Sequence, residues 1–77
     1  MQLNLYSTSH CHLCELAESL LITLTNNFDL QWTVIEIADD ADLLKLYEVK
    51  IPVLRRLDNN HEISWPFTLN EITKFIQ

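Results

Sequence analysis

The chain has 77 residues, 48% of them hydrophobic, and a formal net charge of −6. That length supports one domain around one core, and the hydrophobic fraction is too high for a disordered chain. Only five Lys or Arg are available to neutralise phosphates, which disfavours nucleic acid and anionic membrane surfaces as partners.

The first element is a short apolar strand over Gln2–Tyr6, followed by a polar loop from Ser7 to His10. From Cys11 onward, apolar residues recur at Leu13, Leu16, Ala17, Leu20, Leu21 and Leu24, one face of an α-helix. The chain contains no glycine, so Asn and Asp must supply backbone of positive φ, and Asn26-Asn27 is the expected left-handed end of this helix. The absence of glycine also rules out a Gly-rich phosphate loop. Residues 31–37 are rich in β-branched and aromatic side chains and predict a strand covered on both faces. Asp39 or Asp40 can cap a second helix carrying Leu43, Leu44, Leu46 and Tyr47, with Asp42 and Lys45 placed as a weak surface pair.

Pro52 stops that helix and forces Ile51 toward extended backbone. A strand from Val53 to Leu57, the turn Asp58-Asn59-Asn60 and a returning strand His61–Ser64 predict a hairpin. Thr68 and Glu71 form a capping-box pattern, with Phe67 and Ile72 spaced as a hydrophobic staple, and Leu69, Ile72 and Ile76 as the buried face of a last helix beside Phe75. The order is β-α-β-α-β-β-α. Its first three elements require a parallel pair joined by a right-handed crossover, and the whole predicts a mixed four-stranded sheet with helices on both faces.

The two cysteines occupy Cys11-His12-Leu13-Cys14, at the junction of the first strand and the first helix. Backbone N–H groups at a helix N-terminus favour thiolate over thiol, and thiolate is the nucleophile in disulfide exchange. Cys11, at the helix start, is the candidate nucleophile. Cys14, a turn deeper, is the candidate resolving thiol that attacks the mixed disulfide. His10 and His12 flank the nucleophile, either as charges that favour thiolate or as solvated loop residues. Tyr6 and Tyr47 read as packing residues. Arg55 and Arg56 read as a solvated strand edge.

The strand, the Cys11-x-x-Cys14 helix, the segment Tyr47-Glu48-Val49-Lys50-Ile51-Pro52-Val53-Leu54 and the hairpin with its final helix together resemble the thioredoxin superfamily, glutaredoxin in particular. The stretch from Ser7 to Cys14 is similar to small bacterial glutaredoxin-like proteins. The resemblance implies a single α/β, thioredoxin-like (glutaredoxin-type) domain over residues 1–77. It also implies a thiol-disulfide oxidoreductase, with a cis proline at Pro52 facing the dithiol and Ile51 offering backbone groups to an extended substrate. Ile51, Pro52, His12 and Trp65 are then the substrate-contact candidates. Glutaredoxins carry a basic residue ahead of the dithiol and a Gly-Gly before the last helix, which hold glutathione. Thr8, Ser9 and Trp65-Pro66-Phe67-Thr68 stand at those places, so the resemblance extends only weakly to glutathione, with Lys50, Arg55 and Arg56 as partial replacements.

The expected partners are a protein or low-molecular-weight disulfide and a reductant that the sequence does not identify. The expected state is a monomer without a bound cofactor. Neither an N-terminal leader nor an apolar run near the ~20 residues of a membrane span is visible, which makes the cytoplasm the expected compartment. Two alternatives stay open. Cys11 and Cys14 with His10, His12 or His61 are enough donors for zinc, or one thiolate per subunit could hold an iron–sulfur cluster. The groove could also serve as a redox-silent protein-binding module.

Overall fold

The computed structural model describes residues 1–77. Its strands are β1 (Gln2–Ser7), β2 (Gln31–Glu36), β3 (Val53–Arg56) and β4 (Glu62–Ser64). Its helices are α1 (His12–Leu24), α2 (Ala41–Tyr47) and α3 (Leu69–Ile76), and a single 3₁₀ turn, Ile37–Asp39, leads into α2. The four strands form one mixed sheet in the order β2-β1-β3-β4. β1 runs parallel to β2, and the other two pairings are antiparallel.

Alternation along the central strands divides the apolar residues between two faces. Leu3, Leu5 and Leu54 point to one face and join Ala17, Leu21 and Leu24 of α1 with Phe67, Ile72 and Ile76 at α3. Tyr6 and Val53, one position along from Leu5 and Leu54, point to the other face and meet Ile37 and Tyr47. α1 and α3 therefore cover one side and α2 the other. Burial of each large side chain stabilises the fold by about 1.5–3 kcal/mol.

Several expectations are corrected. β2 is an edge strand rather than one covered on both faces: only β1 pairs with it, and Val34 is 50% exposed. Its apolar content reads as central because its buried end, near Ile35 and Ile37, lies next to the turn that enters α2. On α1 the buried stripe is Cys14, Ala17, Leu21 and Leu24, and Leu13 and Leu16 face outward. Leu44, Leu46 and Leu69 are exposed as well, because α2 and α3 are only about two turns long and each buries only a narrow stripe. The end of α1 has no left-handed asparagine. Thr25 closes it in ordinary helical backbone, and positive φ occurs at His10 and Asn60 instead, both residue types that tolerate it. Asp42 and Lys45 do not pair; the ion pairs are His12–Glu15 and Arg56–Asp58.

The arginines of β3 are not a solvated edge, because β3 is interior to the sheet. Arg56 donates to Asp58 at 2.9 and 2.6 Å and to the carbonyls of Phe75 and Gln77 at 2.8 and 3.1 Å. It thereby ties the hairpin to the C-terminal end of α3, where unpaired carbonyls favour a cation. Arg55 lies against Tyr6 on the α2 face.

The N-terminal capping signals of α2 and α3 hold. Asp40 caps α2 by accepting from the N–H of Asp42 and Leu43. Thr68 and Glu71 form a reciprocal capping box on α3, each side chain accepting from the other residue's N–H at 3.1 Å. Phe67 and Ile72, the residues of the staple, are both buried in the main core.

Candidate functional site

β1 delivers the chain out of the sheet at Ser7, and the loop through His10 turns it into α1. The N-cap of α1 is Cys11, in extended backbone, and its Sγ accepts from the N–H of Cys14 at 3.2 Å. Sulfur thus takes the place that a serine or aspartate oxygen occupies in an ordinary cap. Cys11 and Cys14 form a disulfide with their Cα atoms 5.2 Å apart. Cys11 is half-buried, whereas Cys14 is 4% exposed on the inner face of the helix. The two sulfurs therefore differ in access as well as in order.

Sheet register brings further candidates to the same end of the sheet. Tyr6 pairs with Val53 and Val53 pairs with Ser64, so Ser7, Pro52 and Trp65 line up across three neighbouring strands. Pro52 is buried, its carbonyl accepts from the N–H of Trp65 at 3.0 Å, and the Ile51–Pro52 and Trp65–Pro66 peptide bonds are cis. The N–H of Ile51 already donates to the Tyr47 carbonyl at 3.1 Å. That leaves the Ile51 carbonyl as the main-chain group it has to offer. The Trp65 ring meets Phe67 edge-on at 5.1 Å and packs against the main core, so part of its surface is structural. His12 is exposed, with Nδ1 3.7 Å from the Glu15 carboxylate.

Tyr6 and Tyr47 stack at 4.3 Å between ring centroids, which confirms them as packing residues on the α2 face. Burial, followed by the neighbouring Glu62, pushes the Tyr47 phenol up to about 12. It stays neutral at physiological pH and supplies no base. As for a metal, no three His, Cys, Asp or Glu side chains converge on one point. The donors proposed for zinc do not form a site within this chain.

Three features escaped the sequence reading. Glu36, at the end of β2, accepts from the N–H and the hydroxyl of Ser9 at 2.9 and 3.0 Å and from the N–H of Ala38 at 3.2 Å. Led by the Ala38 bond, these contacts hold its carboxyl below the ordinary value of 4.5. They also anchor the loop that presents Cys11. Glu18 accepts from Trp32 Nε1 at 2.9 Å, joining α1 to β2. His10 adopts a φ of 61° just before the cap. A partly buried indole N–H needs an acceptor, which was the one hint of the Glu18–Trp32 contact. The Glu36 contact spans 27 positions and left no local trace.

A cavity of about 100 Å³ opens beside the pair, lined by Cys11 and Cys14 together with Thr8, His10, Glu15 and Glu18 among others.

A thioredoxin-type sheet whose first helix is capped by one half of a Cys-x-x-Cys disulfide defines a glutaredoxin-like protein of the thioredoxin superfamily. The glutaredoxin-like domain (DUF836) matches residues 2–77, and the chain belongs to that family. It is similar to the X-ray structure of protein XcR50 from X. campestris, with 31% identity, a TM-score of 0.85, and 96% of this chain and 93% of that one covered. Protein Ne2328 from Nitrosomonas europaea is similar at 27% identity and a TM-score of 0.84, covering 96% of this chain and 88% of its own. Thioredoxin 1 from Thermosipho africanus shares the fold at 19% identity, with a TM-score of 0.66 and 99% and 94% of the two chains covered. No curated protein matches the chain. No helix is long and apolar enough to cross a membrane.

Proposed function

We propose that the protein is a thiol-disulfide oxidoreductase that cycles between a Cys11/Cys14 dithiol and the Cys11–Cys14 disulfide. The observation that carries this reading is the cap of α1. The Sγ of Cys11 sits at a helix N-terminus, accepts a backbone N–H at 3.2 Å and is covalently paired with a buried Cys14. A main-chain donor and the positive end of the helix both stabilise a thiolate there.

The exchange proceeds in two displacements. The Cys11 thiolate attacks one sulfur of the substrate disulfide; that S–S bond breaks, and the first half leaves as a thiolate that takes up a proton. The Cys14 thiolate then attacks the Cys11 sulfur. The mixed disulfide breaks, the Cys11–Cys14 bond forms, and the second half leaves. Two electrons pass from the dithiol to the substrate, and the two cysteine protons end on the product thiols. A thiol reductant returns the pair to the dithiol. Pro52, the Ile51 carbonyl and the exposed part of Trp65 border the substrate, and His12 flanks it. The protein works as a monomer without a resident cofactor, in the cytoplasm, where such a pair rests reduced.

Two variants test this. Cys11→Ser abolishes reduction of hydroxyethyl disulfide, a small neutral substrate. Cys14→Ser accumulates a stable mixed disulfide on Cys11, read by intact mass. Full activity in both variants would overturn the assignment, and a redox-silent module would show no reduction in the wild type and no trapping in Cys14→Ser.

A further inference from the structure

The Lys, Arg, Asp and Glu side chains lining the open approach to the cysteine pair are all acidic. The cavity of about 100 Å³ beside Cys11 and Cys14 is lined by Glu15 and Glu18. A second cavity, of about 200 Å³, shares Ser7, Thr8 and Val34 with it and is lined by Glu36. The shared walls make one trough that runs from the pair to the exposed edge strand β2. No Lys or Arg lines either cavity.

The carboxylates are held in place without being neutralised. Glu18 accepts from an indole N–H, and Glu36 accepts from a hydroxyl and main-chain N–H groups, all uncharged donors. Two imidazoles, charged only when protonated, lie close by: His10 in the wall of the first cavity and His12, exposed, at 3.7 Å from Glu15. The arginines are engaged elsewhere: Arg56 with Asp58 and the carbonyls at the end of α3, Arg55 against Tyr6. Lys50 lines a separate cavity with Tyr47 and Glu62. Along α1, Glu18 lies one helical turn beyond Cys14, about 6 Å of axial rise. That is inside the screening length of about 8 Å at physiological salt. A charged group on a substrate bound at the pair therefore feels Glu18, and Glu15 directly follows Cys14.

Resting on the oxidoreductase reading, we propose that Glu15, Glu18 and Glu36 select disulfides flanked by positive charge and disfavour glutathione disulfide, whose halves are anionic. The displacements are unchanged: the protein dithiol is oxidised and the cationic disulfide is reduced to two thiols. Each exposed carboxylate–cation contact contributes a roughly 1.5- to 5-fold preference.

The test uses the reduced full chain and measures second-order oxidation rates by quenched alkylation. The substrates are cystamine (cationic), hydroxyethyl disulfide (neutral) and glutathione disulfide (anionic). Each rate is divided by that of dithiothreitol with the same disulfide, which removes leaving-group differences. The expected order is cystamine, then hydroxyethyl disulfide, then glutathione disulfide, with the spread shrinking at high salt. In Glu15→Gln/Glu18→Gln, whose amides keep the shape and the acceptor for Trp32, the cystamine-to-glutathione ratio falls roughly threefold or more. Cystine peptides flanked by lysines or by glutamates extend the ranking to protein substrates; discrimination confined to the small disulfides assigns a small-molecule source. A ratio near one, or one that neither salt nor the double variant changes, overturns the proposal. Failure to oxidise with hydroxyethyl disulfide would instead overturn the oxidoreductase reading itself.

Discussion

The N-termini of α1 and α3 meet the same backbone requirement with different chemistry. In each, the side chain of the capping residue accepts from the N–H three positions on, at 3.2 Å from Cys14 to Cys11 and 3.1 Å from Glu71 to Thr68. In α3 the acceptor is a hydroxyl, the Glu71 carboxylate returns the bond to the Thr68 N–H, and Phe67 and Ile72 close the entry in apolar packing. In α1 the acceptor is sulfur, and the residue whose N–H it receives carries the second sulfur. An inert cap contributes stability; in the proposed exchange the sulfur cap turns the same donor to stabilising a nucleophile. The first can be sealed by packing; the second must keep one sulfur accessible.

The largest expected effect on this comparison comes from the staple. Ile72 is fully buried, and Ile72→Ala should cost about 2–5 kcal/mol through lost burial and the cavity left behind. A urea midpoint indistinguishable from wild type would show that α3 is not anchored as described. A smaller effect separates the two caps. Thr68→Ala should cost about 1 kcal/mol of stability and leave disulfide exchange intact. Cys11→Ser, compared with the reduced wild type, should stay within roughly 0.5 kcal/mol, because a serine oxygen also caps well. If Cys11→Ser destabilised more than Thr68→Ala, the sulfur would be a structural element first.

The smallest effect concerns the loop before the Cys11 cap. The Glu36 carboxyl titrates below its ordinary 4.5, chiefly because of the Ala38 N–H and then its side-chain and Ser9 partners. A depressed folded value means that its stabilisation is fully present above that ordinary value and is lost as pH falls through the folded one. The Ser9 amide shift should therefore move on acidification below about pH 4.5 in the wild type and stay flat in Glu36→Gln. An unchanged wild-type titration would remove Glu36 as the anchor of that loop.

Much of the architecture was readable because it depends on neighbours within one turn. The capping box at Thr68, the Asp40 cap, the turn at Asp58–Asn60 and the cysteine pair at the start of α1 are all local hydrogen-bonding chemistry. Apart from the Asn26-Asn27 helix end and the Asp42–Lys45 pair, the errors have the opposite character. The strand over 31–37 reads as interior because its composition is apolar, yet its place depends on which strand takes the other side of β1. Leu13 and Leu16 look like core on a helical wheel, and the buried stripe falls through Cys14 and Ala17 instead. Arg56 reads as solvated until the end of α3, 19 positions on, supplies its carbonyl partner.

The sequence by itself determined the cysteine pair, its order along the helix and the N-terminal caps of α2 and α3, since each arises from groups only a few bonds apart on one chain. Only the tertiary structure decided which side of that pair lies open and which charges border it. Sheet register sets Ser7, Pro52 and Trp65 abreast, while the edge position of β2 leaves Val34 and the Glu36 end of the strand beside the trough. Burial and pairing between distant segments fix those relations, and composition alone does not encode them.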